Sequence, residues 1–535
     1  MTGLRRRDFL KAAAVASTTA VVAGATQATN SSTDGSGGDW TTYRGNAGRT
    51  GATDATGPGR NVGTEWSMDP GGGLHTVEPV VADDALYLAV TTTHGPSVSE
   101  GYVAACDPAT GDERWRKDDI SRPGTPTVGG GTVYFDTAGT ESAAATGFFA
   151  VDAETGETKW HQPSSSGLSG ALVADGRLYC KAAGDACELD PGTGEIRWRT
   201  GEVGGGVCYA DGTLFYGAGV ALDAADGTVR WDVSGDVGSE WDLDAVQTVV
   251  DGQTYGTLYR QSKEVQARSA ADGTLQWSHS LDSEEYWRHH RLAVTDGCVL
   301  FRLGDAVHAL DAKTGESVWT YEADVQLTSN PTVASGTVYV GGRTAPGSDT
   351  GDAAVVALDV ASGERAWRHV FGSWEFEDYG PAAATPVVDD GRVFAATYPE
   401  GSTTDYEYTE HADLYAIGSD GGEDDDPATT TSGTTTTPEP STTSETSTTA
   451  EPTSTTSAGT TTADAPSRTT AEPTSTTTNA GTDAGQSTTS AGPASATATG
   501  STTATDGQVG FGVLSALGGM ASVGTYLRTR RGDGD

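Results

Sequence analysis

Residues 309–319, ALDAKTGESVW, decide the fold. An apolar pair runs into an aspartate, a Thr-Gly turn follows, and a short strand-like run ends on tryptophan. The same phrase returns as ALDVASGERAW at 357–367, AVDAETGETKW at 150–160 and ELDPGTGEIRW at 188–198. Looser copies are ACDPATGDERW at 105–115, ALDAADGTVRW at 221–231 and RSAADGTLQW at 268–277. With one earlier indole they form the series Trp66, Trp115, Trp160, Trp198, Trp231, Trp277, Trp319 and Trp367. The mean step is about 43 residues, within the range that marks propellers and other repeat arrays.

Each copy has an upstream half. PTVASGTVYVG at 331–341 and PVVADDALYLA at 79–89 are apolar runs, a turn, and an alternating β-branched and aromatic run. Two strands joined by a Gly-rich turn, then the ALD strand, then the tryptophan strand make a four-stranded antiparallel meander. One such sheet cannot bury both faces, so neighbours must stack around an axis. The last copy, PVVDDGRVFA at 386–395 followed by LYAIGSDGG at 414–422, runs out before any tryptophan. The first tryptophan, in GTEWSM at 63–68, has no strands before it. Joining the two ends completes the last blade and removes an exposed edge. The expected fold is therefore all-β, an eight-bladed propeller of four-stranded blades closed by its N-terminal strand. Each indole is expected to pack between adjacent sheets. The turn aspartates serve local geometry, since one carboxylate per turn falls far short of the six to eight oxygens calcium takes.

The phrase ALDAKTGESVW with its upstream GTVYVG resembles the repeat of the PQQ-like, quinoprotein-type eight-bladed propellers, and WTTYRGNAGRTG at 40–51 is similar to the lead-in of that superfamily. The resemblance covers about 40–420. It implies one of three things: a quinoprotein dehydrogenase holding PQQ and calcium in a central funnel, a scaffold of outer-membrane barrel assembly, or an exported propeller without cofactor. The dehydrogenases of that superfamily carry two adjacent cysteines beside the quinone and long tryptophan-bearing insertions. Here no two cysteines adjoin, and only 33–49 residues separate successive tryptophans. No cofactor is expected on that ground, with PQQ and calcium as the alternative.

Composition narrows the partners. The net charge of −42 excludes nucleic acid, because nothing would neutralise phosphates. Lysine is confined to Lys11, Lys117, Lys159, Lys181, Lys263 and Lys313, so positive charge rests on arginine. An acidic, arginine-rich chain resembles secreted proteins of extremely halophilic archaea, whose carboxylates stay hydrated where strong salt screens their repulsion. Residues 1–28 read as a twin-arginine signal peptide, with Arg6-Arg7-Asp8-Phe9-Leu10-Lys11 before the apolar stretch 12–25. A linker at 29–39 holds Asn30-Ser31-Ser32, the lone N-glycosylation sequon. Residues 421–506 are Thr/Ser-rich, too poor in hydrophobics for a core, and read as a disordered stalk. In the final segment, 507–535, an uncharged stretch at 509–527 precedes Arg528, Arg530 and Arg531. It is just long enough to span hydrocarbon as a single C-terminal helix, or it serves as a sorting signal; either outcome tethers the chain at the outer face of the cell membrane.

The five cysteines are Cys106, Cys180, Cys187, Cys208 and Cys298. Cys180 and Cys187 flank a two-residue turn at Ala183-Gly184, and pairing of 182 with 185 would set them opposite each other for a disulfide.

No catalytic constellation stands out. In a four-stranded meander the second turn and the connection to the next blade fall on one face. That face carries the expanded turns 91–101, 137–147, 342–354 and 398–413. Its connections hold Trp241, then Tyr286, Trp287, His289 and His290, then Trp374, Phe376 and Tyr379, interleaved with acidic residues. Exposed aromatics on loops make binding hot spots, so these residues are the candidate contacts for a protein, a peptide or a surface glycan. The same rings would equally pack between blades or plug the axis. The expected function is a surface-anchored, non-catalytic binding or scaffold module, with a PQQ-dependent dehydrogenase as the alternative.

Overall fold

Val62–Met68 pairs antiparallel with Leu414–Ser419, placing Trp66 opposite Ala416. This joins the earliest long strand to the last sheet, as the chain ends required. A computed structural model gives this architecture and describes residues 39–73, 78–94, 98–138, 145–237, 244–258, 263–281, 291–295, 297–345, 351–373, 381–399 and 413–420. The segments expected to be a signal peptide, 1–28, and a stalk, 421–506, and the stretch 509–527 lie outside the described residues. Among the described residues no helix is long and apolar enough to cross a membrane.

Eight sheets follow one another in chain order. Blade 1 is typical: Val80–Ala82, Ala85–His94, Ser99–Cys106 and Glu113–Ile120 form an antiparallel meander. Blades 2 to 6 repeat it. Blade 7 gains Ala52–Thr53, parallel to its first strand Thr332–Ala334, and Gln326–Leu327 on its second. Blade 8 combines Val387–Asp389, Arg392–Pro399 and Leu414–Ser419 with the N-terminal Val62–Met68. The chain is all-β, and its core is a ring of apolar walls between neighbouring blades, such as the one that Val80, Tyr87, Val103 and Trp115 share with Val133 and Phe149.

The tryptophans lock those walls by a recurring contact. Trp115 Nε1 donates to the Ala153 carbonyl at 2.9 Å, Trp160 to Pro191 at 2.8 Å and Trp277 to Ala312 at 2.9 Å. Trp66, Trp231 and Trp319 reach Pro108, Ala270 and Val360 in the same way. Each acceptor immediately follows the turn aspartate, or its Ser269 equivalent, in the next blade. The turn glycine of that next blade lies beneath the indole. A Cβ on Gly315 would stand 2.5 Å from the Trp277 ring, and one on Gly194 2.7 Å from Trp160. The glycine is therefore needed twice over, for its positive φ of 72–73° and for the ring above it. The aspartates do local work: Asp152 and Asp190 each accept two backbone N–H bonds from their own turn.

On the face away from the long loops, the first turns of blades 8 and 1 bring Asp389 and Asp390 near Asp84 and Asp39. Burial, then these neighbours, push the Asp389 carboxyl up to about 6, against a weaker pull from Arg392. A carboxyl raised above its unfolded value near 3.8 favours the protonated fold. It therefore costs stability above about pH 6, and that cost disappears as pH falls through the window toward 4. Asp389→Asn is expected to raise the urea midpoint at pH 8 in low salt. The gain should shrink in high salt and vanish near pH 4; a midpoint unchanged at pH 8 would refute it.

Candidate functional site

The first strand of every blade is innermost, and its inner edge would leave backbone N–H groups facing the axis unpaired. The lead-in segment caps these edges. Trp40 exchanges both backbone bonds with Val81 of blade 1, at 2.8 and 3.0 Å. The Thr41 carbonyl then accepts from Val128 of blade 2, Ala47 from Tyr209 of blade 4 and Gly48 from Val249 of blade 5. Thr50 accepts from Val294 of blade 6, Gly51 from Val333 of blade 7 and Thr56 from Gly391 of blade 8. Blade 3 is reached by a side chain, Arg49 Nη2 to the Ala171 carbonyl at 3.3 Å. Apart from blade 3, which Arg49 reaches out of turn, the seventeen residues from Trp40 to Thr56 visit the blades in order around the axis.

Two arginines anchor this segment, both at positive φ (59° for Arg44, 57° for Arg49). Arg44 is fully buried. Its Nη2 donates to the carbonyls of Leu292 (3.2 Å) and Pro331 (2.6 Å), and its Nη1 lies 3.5 Å from the buried Glu78 carboxylate. The Arg44 backbone N–H also donates to Glu78 Oε2 at 3.1 Å. Gly51 has to be glycine here, because a Cβ would collide with the Arg44 guanidinium. Arg49 donates to Tyr43 O (2.5 Å), Thr42 Oγ1 (2.7 Å) and Val207 O (3.2 Å). Loss of hydration lowers its pKa to about 10, with Cys208, Tyr43 and Glu78 opposing.

The acceptors of Arg44 directly precede first strands, so this end of the axis is the one that faces the blade connections. Arg291 sits there too, ion-paired with Asp244, and its N–H donates to Asn330 Oδ1 at 2.8 Å. Burial opposes the Arg291 charge, but Asp244 and Tyr43 outweigh it and hold the pKa above the ordinary value. At the end of the second strand of blade 3, Lys181 donates to the Gly205 carbonyl at 2.6 Å. Burial lowers its pKa against the pull of Asp136.

Trp241, Tyr286, Trp287, His289, His290, Trp374, Phe376 and Tyr379 all lie outside the described residues. The chain leaves and re-enters around them on the connections from blade 4 to 5, 5 to 6 and 7 to 8, which the strand order places on one face. The second turns of blades 1, 2, 7 and 8 open onto that face as well. Sequence reasoning missed the axial group of Trp40, Arg44, Arg49 and Glu78. One signal was available: Trp40 stands out of phase with the repeat and ends no ALD phrase.

The family profile described as outer membrane protein assembly factor BamB matches residues 99–200, 184–289 and 261–373. These matches span half of the chain, which belongs to that family of PQQ-like repeat propellers. Quinoprotein ethanol dehydrogenase of Pseudomonas aeruginosa is 29% identical over 223 residues, 41% of this chain and 34% of that enzyme. Quinohemoprotein alcohol dehydrogenase of Comamonas testosteroni is 27% identical over 176 residues, 30% of this chain and 23% of the enzyme. The chain therefore matches about a third or less of the length of these curated relatives. The solved BamB of Moraxella catarrhalis superposes with a TM-score of 0.43 at 18% identity, covering 67% of this chain and 97% of that one.

Those relatives make PQQ and calcium the groups to test against the axis. PQQ is a flat quinone bearing three carboxylates, so it needs cations that are not already engaged. Arg44, Arg49, Arg291 and Lys181 each already donate to protein carbonyls or carboxylates. The described residues also bring together no three His, Cys, Asp or Glu side chains for a metal ion. Each of these cations thus already has protein partners, while Arg44 keeps Nε and Nη1 without a hydrogen bond among the described residues.

Proposed function

We propose that this chain is a binding module anchored at the cell surface, engaging a partner through the face that carries its blade connections and second turns. The observation that carries the reading is the division of labour between the axis and the loops around it. The lead-in caps the inner strand edges with its backbone and with arginines bonded to blade carbonyls, while loop length and exposed-type aromatics vary only on the connection face. A protein or peptide partner suits rings bordered by carboxylates, and a surface glycan would use the same stacking. Export by the twin-arginine route, the stalk at 421–506 and the segment 507–535 would hold that face outside the membrane in a salt-rich setting. The second reading is a dehydrogenase using PQQ and calcium, which rests on the names of the two relatives above.

The test is a pull-down with the exported chain against cell-surface extract in high salt. Trp287→Ala with Trp374→Ala is expected to reduce the captured partner at least tenfold, about 1.4 kcal/mol or more, while thermal unfolding stays unchanged. Full capture by the double variant would remove the loop face from the account.

A further inference from the structure

One pair of nucleophilic side chains belongs neither to the axis nor to the loop face. Cys180 lies in Arg177–Ala182 and Cys187 in Asp185–Leu189, the second and third strands of blade 3. The turn between them, Ala183-Gly184, has φ of 51° and 96°, the two-residue hairpin form with both central residues left-handed. It pins Ala182 opposite Asp185 and hence Cys180 opposite Cys187. Directly opposed residues of antiparallel strands have Cα atoms about 4.5–5.5 Å apart, inside the span of about 4.4–6.8 Å that a disulfide bridges. The two Sγ atoms are 2.8 Å apart. Even carbon atoms, smaller than sulfur, rest at about 3.5–4.0 Å when unbonded.

Other uses of the pair fail on their surroundings. Both thiols are buried among Tyr134, Phe148, Leu168 and Leu178, with no exposed surface for a substrate. A reactive cysteine needs a stabilised thiolate and access, whereas burial drives the Cys180 thiol well above its ordinary range. A metal would need more ligands, and the described residues offer no group of three. Cys106, Cys208 and Cys298 sit in blades 1, 4 and 6, so none competes for either partner.

We propose that Cys180 and Cys187 join as a cross-strand disulfide, a covalent staple inside the wall between blades 2 and 3. Two S–H bonds break and one S–S bond forms. The two electrons and the two protons pass, through a mixed disulfide, to a small-molecule disulfide, which is cleaved to two thiols. The exchange belongs to folding, after the hairpin has formed and before blade 2 covers it. The ring closed runs only from 180 to 187, so the staple fixes hairpin register rather than joining distant segments.

The experiment uses the full chain, unfolded and refolded with oxidised and reduced glutathione. Its intact mass is expected about 2 Da below that of the reduced chain, the loss of two hydrogens. Thiol counting in denaturant should then find three of the five cysteines free, and peptide mapping should place the lost hydrogens between 180 and 187. Five free thiols, or a bond using Cys106, Cys208 or Cys298, would overturn the proposal. A second measurement compares Cys180→Ala with Cys187→Ala in one chain. Reductant should lower the urea midpoint of the parent and leave that of the double variant in place; equal shifts in both would also overturn it.

Discussion

Trp40→Ala is expected to lower the unfolding free energy by roughly 3–5 kcal/mol, the usual range for truncating a fully buried Trp. No part of the residue is exposed, and its ring packs with Leu86, Leu88, Val387, Phe394 and Leu414. Those partners come from blades 1 and 8, so the indole seals the seam where the two ends of the chain meet. Alanine keeps the backbone bonds to Val81 but leaves a cavity in that wall. The effect should appear as a lower urea midpoint with an unchanged slope. Trp40→Phe should recover most of the loss. It refills the wall and removes an indole N–H that has no hydrogen-bond partner among the described residues. A midpoint unaffected by alanine would mean that pairing of Val62–Met68 closes the ring unaided.

Arg44→Met is expected to cost about 3–5 kcal/mol for a different reason, the uncompensated charge left behind. Methionine replaces much of the stem's volume but not the bonds to Leu292 and Pro331 or the ion pair with Glu78. The Glu78 carboxylate would then sit buried, facing the backbone N–H of residue 44 and no guanidinium. Adding Glu78→Gln to the methionine variant should restore part of the loss. The two changes should couple by about 0.5–3 kcal/mol in a double-mutant cycle. Simple additivity of the two losses would show that the pair does not act as a unit.

The eight blades and their closure were legible because the repeat phrase carries its own physics. Asp–Gly turns set register, the apolar pair marks a buried strand, and the tryptophan marks the wall. The unpaired strands at 386–422 and the lone Trp66 then allowed one economical closure. Covering of each turn glycine by the previous blade's indole was not legible, since it joins residues about 40 positions apart, such as Trp277 and Gly315. The role of 40–56 was hidden for a related reason. Its carbonyls meet seven blades through backbone alone, and backbone bonding leaves little trace in side-chain pattern. Arg44 and Arg49 show no sign in the sequence of their acceptors, main-chain carbonyls of distant blades. The aromatic loop residues were named by the opposite route, from topology and residue type, and they lie outside the described residues.

An axis already capped by the chain's own lead-in, with binding left to the loop face, is most directly tested by titrating PQQ with calcium into the full chain in high salt. The account predicts no saturable heat, no quinone absorbance surviving desalting, and no alcohol-dependent reduction of a dye. Stoichiometric retention of the quinone together with dye reduction would contradict it.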